Sequence, residues 1–137
     1  MNEPHIVATE SGSFATYTLY SDRVVISHLK EALSIDEQTA RVGIEQLETF
    51  VGPEPYAVVV DGRDLGYVTP EGRTALRSSV GPHRVATAMV FGSAGGEYVA
   101  KRVVAEGGVS AHDAVFSSVE QALQWARSKM AEFDEND

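Results

Sequence analysis

The residues Tyr56-Ala57-Val58-Val59-Val60-Asp61-Gly62-Arg63-Asp64-Leu65-Gly66-Tyr67-Val68-Thr69-Pro70-Glu71 decide the fold of this chain. Tyr56 to Val60 form an unbroken apolar run, the pattern of a strand covered on both faces and therefore central in a sheet. Asp61 ends the run, and a loop rich in Gly and Asp follows. Thr69 is a good N-cap and Pro70 suits the first helical position, so a short helix is predicted through about Ser79. A buried strand that leads through a loop into a helix is the building unit of a parallel sheet.

Upstream, the pattern changes to alternation. Short runs at His5–Thr9, Phe14–Tyr20 and Arg23–Leu29 are separated by Glu10-Ser11-Gly12 and Ser21-Asp22. Phe14, Thr16, Thr18 and Tyr20 fall on one side of the second run and Ala15, Tyr17 and Leu19 on the other, which predicts half-buried antiparallel strands. Ser34-Ile35-Asp36-Glu37 reads as a capping box with Ser34 as N-cap. The helix it opens places Ala40, Ile44, Leu47 and Val51 on one stripe and stops at Gly52-Pro53.

Downstream, Val85–Phe91 reads as a strand and Gly92-Ser93-Ala94-Gly95-Gly96 as its turn. A helix is expected from about Glu97 to Ala105, then a short strand at His112–Phe116. Ser117-Ser118-Val119-Glu120 offers a second capping box before a last helix carrying Ala122, Leu123, Ala126 and Met130. The predicted order is β-β-β-α-β-α-β-α-β-α. This is an α/β domain with an antiparallel N-terminal meander, later parallel strands in the same mixed sheet, and about four helices. No repeat or linker divides residues 1–137, and the acidic tail from Glu132 is expected to fray.

Composition narrows the function classes. The chain has 137 residues and no cysteine, which removes disulfides, thiolate metal sites and cysteine nucleophiles. No stretch approaches the roughly 20 apolar residues of a membrane span, and the N-terminus lacks a secretory pattern, so a cytoplasmic location is expected. The net charge of −9 opposes general nucleic-acid binding. Between Arg63 and Arg102 six basic residues face three acidic ones, leaving −12 for the remainder. This raises the expectation of a locally positive face.

The Val58-Val59-Val60-Asp61 strand, its loop to Thr69-Pro70-Glu71-Gly72-Arg73, the Gly92-Ser93 turn and the run Phe116 to Trp125 together resemble the STAS/SpoIIAA-like superfamily. Within it they resemble the small bacterial branch grouped with the CRAL-TRIO lipid-carrier fold. The resemblance covers about Tyr17 to Met130. In the anti-sigma-factor antagonists of that superfamily the loop ends in Asp-Ser-Ser-Gly, and a serine is phosphorylated by a partner kinase. Here Thr69-Pro70-Glu71-Gly72 stands in its place, so Thr69 is the only hydroxyl of the tetrad. The resemblance implies protein–protein recognition or carriage of an apolar ligand; for the first, pairing with a second copy is one expected form.

No catalytic constellation is legible. Asp61, Asp64 and Glu71 lie near one expected sheet edge, but turn and capping chemistry explains them better than a metal site. The Gly92–Gly96 turn is neither a Walker motif nor Gly-x-Gly-x-x-Gly. His5, His28, His83 and His112 show no metal-ligand spacing and read as surface or strand-end residues. Tyr17, Tyr20, Tyr56, Tyr67 and Phe91 form an aromatic set that would line an apolar cavity of some hundreds of Å³ if the chain were a carrier. The expectation is a non-enzymatic binding module without cofactor or metal. Its docking surface would comprise Asp61, Arg63, Asp64, Thr69, Glu71, Arg73, Gly92, Ser93 and Gly95, gathered at the carboxyl edge of the sheet. A carrier of a small apolar or amphiphilic molecule is the alternative.

Overall fold

The computed structural model describes residues 3–78, 81–92 and 113–135. The three N-terminal runs become β1 (Ile6–Ser11), β2 (Ala15–Tyr20) and β3 (Val24–Leu29), an antiparallel meander. The β2–β3 connection is a three-residue turn whose last residue, Arg23, takes φ of 66° and donates its N–H to Tyr20 O at 3.0 Å. Its guanidinium then caps the end of the next helix through Val51 O at 2.8 Å and Glu54 O at 3.1 Å.

Two very short strands went unforeseen. β4 (Ser34–Ile35) pairs in parallel with β6 (Tyr67–Val68), on either side of α1 (Glu37–Val51) and the central β5 (Tyr56–Asp61). Ser34 is therefore strand rather than N-cap, which corrects the expected capping box. Ile35 is 6% exposed, packed with Val68 and Ala75, and that burial keeps the chain extended one residue further. Asp36 then caps α1 by accepting from Thr39 N–H at 2.8 Å.

α2 (Pro70–Ser78) starts as predicted, with Thr69 Oγ1 accepting from Gly72 N–H at 2.9 Å. β7 (Arg84–Val90) and β8 (Asp113–Phe116) follow, and α3 (Val119–Glu135) closes the described chain. Its cap is Ser118, which accepts from Gln121 N–H at 3.1 Å. The N-cap is Ser118 rather than Ser117. α3 continues through Glu135, so the acidic tail is helical to that point. The described residues hold three helices; the one expected from Glu97 to Ala105 lies outside them.

The main sheet has the order β1-β2-β3-β5-β7-β8, and β3, β5, β7 and β8 are mutually parallel. The continuous apolar run on β5 is accounted for by burial on both faces. Val58, with Tyr17 and Val25, packs under Leu47 and Val51 of α1. Val59, with Val24, Ala88 and Val90, packs against Ala122, Ala126 and Met130 of α3. A third cluster, around Ile35 and Val68, joins α1 to α2. No helix among the described residues is long and apolar enough to cross a membrane.

Candidate functional site

In a parallel sheet every strand delivers its last residue to the same edge, and the loops that follow can meet there. β3 and β5 run in a register that sets His28 beside Asp61. Asp61 is 3% exposed, and a buried carboxylate requires partners. His28 Nδ1 lies 2.8 Å from its Oδ2. Arg63 grips the other side, with Nε donating to Oδ1 at 2.9 Å, Nη2 to Oδ2 at 3.0 Å and the backbone N–H to Oδ1 at 3.3 Å. Burial pushes the Asp61 carboxyl up, but the hydrogen bonds from Arg63 and His28 and the guanidinium charge outweigh it, so its pKa lies below the usual value. The same pairing raises that of Arg63.

The rest of the rim is held by backbone. Gly62 N–H donates to Val90 O at 2.9 Å, which ties the loop to β7. Gly92 lies against Arg63 so closely that a Cβ there would stand 3.0 Å from Arg63 O. Ala32 N–H donates to Asp64 O at 2.8 Å, and Gly66 and Tyr67 both donate to Leu33 O, at 3.0 and 3.2 Å. Thr69 N–H then bonds Ile35 O at 2.9 Å. The loop after β5 is thus laced to the loop after β3 along its length. What it presents outward is half of the Arg63 and His28 side chains, the exposed Asp64, and Tyr67 at 59% exposure.

Asp61, Arg63 and Gly92 are therefore in one place, and Asp64 continues their loop. Thr69 and Glu71 belong to a neighbouring groove between the N-termini of α1 and α2, shared with Asp36, Glu37 and Arg41. Arg73 is half-buried within α2. Ser93 and Gly95 lie outside the described residues. Asp61, Asp64 and Glu71 do not form a three-ligand group among the described residues. The expected positive face is divided: Arg63 is spent on Asp61, whereas Arg84 stands at the opposite end of the sheet beside Tyr56, and Lys101 and Arg102 lie outside the described residues.

Two contributors were missed. Sequence patterning makes His28 a surface or strand-end residue and sets Tyr67 among the aromatics that would line a carrier's cavity. The His28 signal is the pairing of β3 with β5, which composition does not reveal. Tyr67 faces solvent because Val68, its neighbour on β6, takes the buried side.

A separate cavity of about 110 Å³ lies between the sheet and the α1–α2 pair. Of the aromatic set, Tyr17 and Phe91 line it, together with Leu47, Leu65 and Met89. It is smaller than the hundreds of Å³ expected of a carrier.

No family model matches the chain, and no curated protein matches it. Among solved structures it is similar to an uncharacterized protein of the DUF3478 family with a SpoIIAA-like fold from Shewanella loihica PV-4. The likeness has 14% identity and a TM-score of 0.51, over 92% of this chain and 97% of that one. The fold of this chain is SpoIIAA-like, with antiparallel strands leading into a parallel set.

Proposed function

We propose that this domain is a non-catalytic interaction module that docks a protein partner on the carboxyl-edge rim formed by His28, Arg63, Asp64 and Tyr67. The observation that carries the reading is Tyr67, the most exposed large apolar side chain among those described, mounted on a backbone laced to its neighbours. Tyr and Arg are the residue types that most often dominate protein interfaces. A surface already held in place loses little conformational entropy when a partner arrives. The reading places the chain in the cytoplasm and includes a second copy of itself as a partner.

The test uses Tyr67→Ala. An exposed side chain with no core contact changes stability by about 0.5 kcal/mol or less, so the melting temperature is expected to hold. The variant is expected to lose a host protein that the wild-type chain retains from extract, or to lose self-association in sedimentation. Retention equal to wild type in both assays contradicts the proposal.

A further inference from the structure

The small cavity has a chemistry of its own, distinct from that of the polar rim groups. Its walls are nearly all aliphatic or aromatic, with polar groups in few places. Ser27 is 6% exposed and lines it. Thr87 is 5% exposed and also lines it. At that end stands Arg84, whose Nε donates to Tyr56 OH at 3.2 Å and whose Nη1 reaches Thr87 Oγ1 at 3.5 Å. The guanidinium also lies over the Tyr56 ring, 5.8 Å from its centroid. Among the described residues no carboxylate pairs with Arg84. Glu45 and Glu48 border an outer groove that reaches Tyr56 and His83, and neither forms an ion pair with it.

The half-buried guanidinium of Arg84 sets a positive charge on the wall of an otherwise apolar cavity. Its Nη1–Nη2 fork matches a carboxylate in shape as well as charge. We infer that the cavity binds a short monocarboxylate, with its carboxylate on the outer fork of Arg84 and its hydrocarbon body inside, toward Leu47 and Met89. Size sets the body. A dry cavity of about 150 Å³ holds benzene, so 110 Å³ admits a branched body of about four carbons. A long-chain lipid does not fit.

The probe is isovalerate, titrated into the full-length protein at neutral pH and followed by backbone and methyl NMR. Isovaleramide serves as the neutral isostere and acetate as the head without a body. Isovalerate is expected to give saturable shifts at Ser27, Leu47 and Thr87. Isovaleramide and acetate should bind about 10-fold or more weakly, the factor associated with a charge-assisted pair. Arg84→Gln should lose that advantage for the acid and leave the amide unchanged, Arg84→Lys should lose part of it, and Ala40→Leu, which narrows the cavity, should weaken both. The acid-to-amide ratio is read on the wild-type chain, so it stands even if a variant fails to fold. Equal binding of acid and amide overturns the inference. So do wild-type affinity in Arg84→Gln, shifts confined to residues outside the cavity, or no saturable shift at about 10 mM.

Discussion

The carboxylate of Asp61 is removed from water at a point where it touches one imidazole and one guanidinium. Removing Arg63 leaves a charge that is 4% exposed with half its partners gone. Arg63→Ala is therefore expected to destabilise the fold by about 1–3 kcal/mol, measured by urea unfolding, and to disturb docking as well. That is why Tyr67 is the cleaner probe of function. The lowered Asp61 pKa also sets a sign. A carboxyl whose folded value lies below its ordinary value near 3.9 adds stability above that pH and loses it as the pH falls through the folded value. Asp61→Asn should flatten the acid limb of the wild-type stability curve below about pH 4, and an unchanged limb would contradict the assignment. Gly72 provides a case where two effects oppose each other. Alanine inside a helix gains about 1 kcal/mol over glycine, but a Cβ here would collide with the Ile35 carbonyl oxygen. Overpacking costs about 1–3 kcal/mol, so Gly72→Ala should lower the melting temperature; a rise would mean that α2 can shift away from β4.

Elements were legible wherever one local pattern decided them. The apolar run of β5, the α1 stripe and the Thr69-Pro70 helix start needed no knowledge of the rest of the chain. The two misplaced caps were each off by a small step that local spacing cannot resolve. Ser34 and Ser117 satisfy the local spacing, but Ile35 is held in β4 by tertiary packing, and after β8, which ends at Phe116 as expected, the helix starts one residue later on Ser118. The β4–β6 ladder was invisible because two residues on each side carry no period. α3 offers the element-scale test. Ala122 and Ala126 are fully buried against the sheet, and their small size sets how close the helix sits. Its approach is fixed further by Arg127, which donates to Asp22 at 2.8 Å and lies over Tyr20. Ala126→Leu should cost about 1–3 kcal/mol and leave β1 and β2 unaltered in amide exchange. A neutral outcome would show that α3 is more loosely seated than its contacts indicate.

At the scale of the whole molecule, the meander supplies β3, the crossovers bring β5 and β7 beside it, and only then do His28, Asp61 and Gly62 meet. The edge of the sheet could be named from the order of elements, since parallel strands end together. The pairing of His28 with Asp61 could not, because it depends on a register between residues 33 positions apart. The cavity below α1 and α2 is a consequence of the same assembly, and Leu65 of the rim loop lines it. The most direct test of the docking surface is photo-crosslinking in the native host, with p-benzoylphenylalanine placed at Tyr67 and, as a control, at Phe133 on α3. Tyr67 is 59% exposed and Phe133 37%, so both can carry the probe without entering the core. A discrete adduct from position 67 and none from 133 is the predicted result; adducts from 133 alone, or none from 67, would contradict the account.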